Sequence, residues 1–169
     1  MPLSKIDSDS LNSGAVTSTA LASGVPTRAQ MPVGCVLQVV QGTYSTETET
    51  SSSTYSDTGL TASITPSSAS SKILVMVTMQ GCGKGTNDTA LRIRTLRGAT
   101  VIDSSLDIGY TGSSATNYVG SVSVNILDSP ATTSATTYKT QFMSQTNVAK
   151  ARICSSNSTS YITLMEIAA

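Results

Sequence analysis

The 169-residue sequence contains no histidine and no tryptophan, one phenylalanine and few charged residues. The absence of histidine removes the most common general base, the usual imidazole ligand of zinc, and every Ser–His or Cys–His catalytic pair. Charged residues make up only 12% of the chain, and ten basic residues balance ten acidic ones. Because this balance lacks the basic footprint of nucleic-acid-binding proteins, we expect no nucleic-acid partner.

Long apolar runs are missing as well. No stretch approaches the roughly 20 apolar residues of a membrane span, and the opening MPLSKIDSDSLNSG has no apolar core of a secretory signal. The three cysteines, Cys35, Cys82 and Cys154, lie far apart without the CxxC spacing of metal or redox sites. We therefore expect buried free thiols, no membrane span and assembly inside a cell.

Serine and threonine dominate the composition, with 29 and 26 residues. Twelve glycines, five prolines and few long charged side chains disfavour helices, whereas Thr, Val, Ile and Tyr suit a pleated, half-buried surface. Alternating apolar residues indicate roughly nine strands after residue 34, the first over residues 36–44 and the last two over residues 148–154 and 161–167. Residues 91–96 and 100–105 are predicted to pair as a hairpin across Arg97 and Gly98. The sequence predicts an all-β protein whose residues 34–169 form a single antiparallel β-sandwich or jelly roll.

Residues 1–33 differ from the rest of the chain. Their apolar residues are isolated between small polar ones, in a spacing that suits neither a helix nor a strand: Leu3, Ile6, Leu11, Val16, Leu21 and Val25. Such a segment cannot bury enough of itself to become ordered alone. We predict an extended N-terminal arm that lies across another molecule and anchors the sandwich domain.

The stretch KILVMVTMQGCGKG, residues 72–85, runs from apolar residues into glycines and a lysine, as a strand runs into a phosphate-binding loop. A P-loop requires G-x-x-x-x-G-K-[ST] followed by a helix. Here Thr78 occupies the first glycine position and Gly85 the hydroxyl position, and residues 90–95 alternate like a strand. We predict a glycine-rich hairpin loop, with no nucleotide site and no cofactor.

Other catalytic patterns fail too. The stretch Gly112-Ser113-Ser114 lacks the closing glycine of a nucleophile elbow, since residue 116 is threonine. Asp103 and Asp107 are the best candidates for a pair of catalytic carboxylates, but the simpler interpretation is two solvated acids. The sequence predicts a protein that is not an enzyme, with no catalytic residue and no metal ligand.

Four stretches form an ordered set: MPVGCVLQVVQGTYST, YSDTGLTASITPSSASSKILVMV, LDSPATTSATTYKTQF and SYITLMEIAA. Together they resemble small virion structural proteins of tailed bacteriophages, marine and cyanobacterial phages in particular, which are often described as tail-fibre-like. The opening LSKIDSDSLNSGAVTSTALASG is similar to phage fibre openings that tether a protein to the particle. The resemblance implies a jelly-roll subunit that assembles as a homotrimer on a virion made in the host cytoplasm.

The leading hypothesis is therefore a short fibre- or knob-like appendage, joined to tail, vertex or capsid proteins through residues 1–33. Loops on a rigid sandwich often carry binding, and two loops, residues 81–88 and 109–118, are predicted to contact a host-surface glycan or protein. Their candidate residues are Lys84, Asn87 and Asp88 in the first loop, and Tyr110, Asn117 and Tyr118 in the second. Solvated loops without a ligand are the simpler interpretation.

Two other functions stay open. A capsid-decorating subunit, of the cement or head-fibre kind, would stabilise the shell and need no receptor. A carbohydrate-binding module would need an exposed aromatic platform, which six tyrosines would have to supply without tryptophan.

Four residues are apolar on faces that a lone sandwich would expose: Leu74, Met76, Tyr161 and Met165. A threefold interface or a second sheet of the same subunit would cover them, and the sequence favours neither.

Overall fold

The computed structural model describes residues 31–85, 88–111, 118–146 and 150–169, with the backbone alone at residues 106, 110–111 and 118–119. All six apolar residues proposed to anchor the arm lie outside the described residues: Leu3, Ile6, Leu11, Val16, Leu21 and Val25. The extended arm therefore stays a prediction.

The described residues form ten β-strands and one 3-10 turn. The strands are β1 (Val36–Tyr44), β2 (Thr48–Thr50), β3 (Ser56–Ile64), β4 (Lys72–Lys84), β5 (Thr89–Arg97), β6 (Thr100–Thr111), β7 (Tyr118–Asp128), β8 (Thr136–Ser144), β9 (Ala151–Ile153) and β10 (Ser160–Ile167), and the turn is Ser155–Asn157. The prediction of an all-β fold is confirmed. No helix in this part of the chain has the length and apolarity that a membrane crossing requires.

Two antiparallel sheets form the sandwich. The first contains β1, β10, β4 and β7 as neighbours, and the second contains β3, β8, β5 and β6 in that order. Along the chain the long strands alternate between the sheets, except that β5 and β6 form a hairpin within the second sheet. This connectivity is that of a jelly roll, which contains two Greek keys. It agrees with the predicted β-sandwich or jelly roll.

The short strands β2 and β9 extend the first sheet past a break. β9 pairs with the end of β4, where Gly83 lies opposite Arg152, and β2 pairs with β9. At the break, Cys154, Ser156 and Asn157 adopt positive φ angles of 55°, 57° and 60°. The turn they form packs on β4 at Gly81, whose carbonyl oxygen accepts a hydrogen bond from Ser155 Oγ at 2.9 Å. The pair formed by β2 and β9 therefore extends the pair formed by β1 and β10 beyond this break.

The core fills the space between the two sheets. Alternate residues of each strand point inward, and β4 contributes Ile73, Val75, Val77 and Met79, all almost fully buried. Residues from the other strands complete the core: Leu60, Ile93, Tyr138, Phe142, Ile153, Ile162 and Leu164. The alternation in the sequence thus specifies which face of each strand is covered.

One side of the sandwich is closed by backbone contact between β1 and β3. A Cβ atom on Gly42 would meet the carbonyl group of Thr61, whose carbon would lie 3.0 Å away. Gly59, with φ of 96°, packs beneath the ring of Tyr44. Glycine at these two positions lets the edges of the two sheets approach each other.

The hairpin predicted across Arg97 and Gly98 is confirmed. Arg97 pairs with Thr100, and the pairing of β5 with β6 continues along both strands from there. The glycine-rich loop predicted for residues 81–88 is wrong in its extent. Strand β4 continues through Lys84 because residues 82–84 pair with β7 and β9, so only residues 85–88 connect it to β5.

The three cysteines are free thiols. Cys82 and Cys154 are buried, whereas Cys35 is half-buried. Burial raises the pKa of the Cys82 thiol to about 12, so this thiol stays protonated at neutral pH and packs as a small apolar group.

Candidate functional site

The two loops predicted to contact a host lie at the same end of the sandwich. β4 ends at Lys84 and β5 begins at Thr89, while β6 ends at Thr111 and β7 begins at Tyr118. Pairing places Thr89 opposite Thr111, and Gly83 opposite Tyr118. The topology therefore brings together two loops that are separated in the sequence, and we call this end the loop end.

Lys84 does not lie in either loop. Its side chain is fully buried, and Nζ donates a hydrogen bond to the carbonyl oxygen of Thr89 at 3.2 Å. Burial lowers the pKa of the ammonium group, and the nearby carboxylate of Asp88 opposes this shift. The structure therefore does not support Lys84 as a surface contact, and no phosphate-binding helix follows it, since the next element is β5.

The remaining predicted contacts are only partly described. Asp88 is exposed, with a positive φ of 50°. Tyr110 lies in β6 and Tyr118 begins β7, so the second loop is shorter than predicted. Asn87 and Asn117, and the side chains of the two tyrosines, lie outside the described residues.

A cluster of hydroxyl groups underlies the loop end. Thr89 Oγ1 lies 3.2 Å from Ser144 Oγ, and the hydroxyl of Thr146 lies 3.0 Å from Thr89 Oγ1 and donates to it. Ser144 Oγ also donates to the carbonyl oxygen of Thr146 at 2.8 Å. These hydrogen bonds fix the ends of β5 and β8 beneath the loops. No motif in the sequence marks them, since serines and threonines are spread along the whole chain.

The two aspartates considered as catalytic carboxylates do not form such a pair. Asp107 accepts hydrogen bonds from Arg92 Nε at 2.9 Å and from Nη2 at 2.7 Å. Asp103 lies nearer the start of β6, opposite Thr95. Among the described residues, no group of three or more His, Cys, Asp or Glu side chains is placed to hold a metal ion.

The outer face of the second sheet carries paired charges. Lys139 binds Asp57 at 2.9 Å, and Arg92 binds Asp107 at 2.7 Å. The hydrogen bond from Lys139, with a second from Gln141, lowers the pKa of Asp57. Ion pairs of this kind are compatible with a surface that stays in contact with water. We call this surface the charged face.

The guanidinium of Arg94 also lies on the charged face. Its Nε and Nη2 donate to Gln141 Oε1 at 2.8 Å and 2.6 Å. Its Cζ atom lies 4.0 Å from the centre of the Tyr55 ring, in a cation–π contact. This tyrosine is therefore already covered by a side chain of its own chain.

The outer face of the first sheet has the opposite character. Twelve outward residues of β1, β10, β4 and β7 form three rows across the strands, and none is charged. The rows, read along the strand pairing, are Val39, Met165, Leu74 and Leu127; Gln41, Thr163, Met76 and Asn125; and Thr43, Tyr161, Thr78 and Ser123. We call this surface the neutral face; the first charged residue at its margin is Lys72, opposite Ile167.

The neutral face includes all four residues that the sequence singled out as apolar on a second face: Leu74, Met76, Tyr161 and Met165. Within the described residues, the second sheet packs on the opposite side of β4 and β10, against Ile73 and Leu164 among others. The interpretation in which a second sheet of the same subunit covers the four residues is therefore wrong.

Sequence reasoning missed the two most exposed members of the apolar row. Val39 and Leu127 lie on the outer strands β1 and β7, and each is 55% exposed. Their alternation with inward residues was visible, but only the strand order shows that they lie in line with Leu74 and Met165.

A scan against protein-family models gives no match to this chain, and a search of curated proteins gives none either.

Proposed function

We propose that this protein is a non-enzymatic structural subunit of a tailed-phage virion, a short fibre- or knob-like appendage. In this proposal residues 1–33 tether it to tail, vertex or capsid proteins, and three copies associate as a homotrimer. The loop end projects outward and is the surface offered to a host glycan or protein.

The observation that carries this proposal is the position of the two ends. The described chain begins beside the end of β10, where Gly34 N donates to the carbonyl oxygen of Ala168 at 2.8 Å. This is also the end where β4 begins, at Lys72, whereas the loop end lies beyond Lys84. Since a strand rises about 3.3 Å per residue, the two ends are about 40 Å apart. A tether at one end and loops at the other form the arrangement that a projecting appendage needs.

The fold supports this proposal in a second way. The ends of β5 and β8 at the loop end are fixed by the hydroxyl cluster at Thr89, Ser144 and Thr146. Weak contacts made by loops carried on these strand ends would act together through the copies on one particle.

Deletion of residues 1–30 is expected to leave a folded domain that no longer joins the particle. Gly34 and Cys35 would still pair with Ala168, at 2.8 Å and 2.9 Å, so the edge of the sheet is preserved. Folding is measured by circular dichroism and urea unfolding of the purified protein. Incorporation is measured in particles made by a phage that carries the shortened gene.

The full-length gene in the same phage background is the matched control. An unfolded shortened protein would contradict the division into arm and domain. A folded shortened protein that enters particles as efficiently as the full-length chain would contradict the tether.

A capsid-decorating subunit is the second candidate function. A tether at one end of a rigid sandwich, beside Ala168, would serve it equally well. The number of copies per particle separates the two candidates, because a shell decoration scales with the capsid protein and an appendage does not.

A further inference from the structure

We infer that the neutral face is the surface through which copies of this chain pack against one another. The inference rests on the proposed self-association and assigns it to one of the two sheets. The occupant is a second copy of this chain.

The contrast between the two faces is the first argument. Both sheets belong to one small sandwich, yet the charged face carries Asp57, Arg92, Arg94, Asp107 and Lys139, and the three rows of the neutral face carry no charge. Interface centres are depleted of charged residues. The charged face therefore has the composition of a surface left in water, and the neutral face that of a surface covered by protein.

Neutrality also suits a contact between identical chains. Residues close to the axis of a cyclic homo-oligomer lie beside their own symmetry copies, and like charges that meet in this way are unfavourable. The neutral face meets a copy without that penalty, and its hydrogen-bonding side chains are partly paired already, since Gln41 Nε2 donates to Thr163 Oγ1 at 2.9 Å.

The size of the face argues for a partner of domain size. Four strands about 4.8 Å apart and about seven residues long give a footprint of about 19 Å by 23 Å. Val36 is exposed on β1 in the next row, opposite Ile167, and extends this apolar area. A single extended segment covers one strand spacing, whereas this footprint spans four strands. Another copy of the sandwich is wide enough to cover all four.

The anchor residues of the contact are those of the apolar row. Val39 and Leu127 lie at its two ends and are each 55% exposed, while Leu74 and Met165 between them are half-buried. Tyr161 and Met76 belong to the neighbouring rows, and tyrosine and methionine are enriched at interfaces. The row therefore crosses the sheet from one edge strand to the other.

The test is the molar mass of the purified full-length protein, measured by light scattering during size-exclusion chromatography. The wild-type chain is expected to give three times its 17.4 kDa chain mass. Leu127→Lys and Val39→Lys, on two different strands, are each expected to weaken association at least tenfold and to give the mass of one chain. Ser63→Lys is the matched control, because Ser63 is exposed on β3 of the charged face, and its expected mass is that of the wild type.

Leu127 and Val39 are half-exposed, so both lysine variants are expected to fold, and circular dichroism checks this. Leu127→Gln, a milder change, replaces any lysine variant that fails the check. Lysine variants that keep the trimer mass would overturn the assignment to this face and leave the proposed virion function standing. A wild-type chain with the mass of a monomer would overturn self-association itself. Absence from phage particles would count against the virion function, not against the face.

Discussion

Replacement of Gly81 with alanine is expected to lower the free energy of unfolding by about 2 to 5 kcal/mol. Gly81 has a positive φ of 59°, which costs an alanine conformational energy. Its Cβ atom would also lie 2.6 Å from the carbonyl oxygen of Ser155 and would meet the hydroxyl of Ser158. The obstructing Ser155 atoms belong to backbone, so the turn between β9 and β10 must move.

Gly98→Ala is the matched control for this prediction. Gly98 has nearly the same φ, 57°, but nothing lies within 4 Å of its Cβ position. This variant therefore measures backbone strain alone, about 1 kcal/mol. Urea unfolding followed by circular dichroism measures both variants. Equal losses in Gly81→Ala and Gly98→Ala would show that the turn at Ser155 does not pack tightly on β4.

Replacement of Glu166 with glutamine is expected to lower the free energy of unfolding by about 2 to 3 kcal/mol at about pH 7. Glu166 is fully buried on β10. Its Oε1 accepts hydrogen bonds from Ser67 N at 2.7 Å and Ser67 Oγ at 2.6 Å, and its Oε2 accepts one from Gln38 Nε2. These contacts join β1, β10 and the connection between β3 and β4. Glutamine has one acceptor oxygen, so one of these donors would face an NH₂ group.

The effect of Glu166→Gln is expected to depend on pH. Burial raises the pKa of Glu166, but the hydrogen bonds that its carboxylate accepts, from Ser67 and Gln38 among others, together outweigh this effect and hold the pKa below its ordinary value. A lowered pKa means that the stabilisation is fully present above the ordinary pKa of about 4.5 and is lost as the pH falls through the folded-state pKa. The difference between the two proteins should therefore shrink in acid.

Glu47→Gln is the matched control, because Glu47 is exposed. Its expected effect lies within about 0.5 kcal/mol of zero. Urea unfolding at about pH 7 and about pH 3 measures all three proteins. A loss for Glu166→Gln that is the same at both pH values would show that the ionised carboxylate is not what these donors stabilise.

The alternation of apolar residues predicted the strands well where each strand has one covered face. The bounds of β1, Val36–Tyr44, match the prediction, and the hairpin at Gly98 follows from local turn chemistry. The end of β4 was missed because glycine usually indicates a turn, whereas Gly83 is held in the ladder by β7 and β9. That pairing depends on residues far along the chain.

The sequence predicted separate strands on either side of residues 155–160, but the conformation of the turn between β9 and β10 could not be predicted for the same reason. It depends on positive φ angles at Cys154, Ser156 and Asn157 and on the space that Gly81 leaves for their turn. A lysine is almost never fully buried, so the position of Lys84 beneath the loop end contradicts the ordinary expectation for its residue type.

The sequence predicted only some of the residues that form the candidate surfaces. Leu74, Met76, Tyr161 and Met165 were recognised as apolar residues without a partner. Their alignment with Val39 and Leu127 depends on strand order, which brings four distant segments side by side. The contrast between a charged and a neutral face is therefore a property of the fold.

The most direct test of the proposed function is the number of copies of this protein in purified phage particles. Quantitative mass spectrometry of particles, with the major capsid protein as internal reference, gives this number. The proposal predicts that the protein is present in a small, fixed number of copies relative to the capsid protein. A number comparable to that of the capsid protein would identify a shell decoration instead, and absence from the particles would contradict the proposal that this is a virion protein.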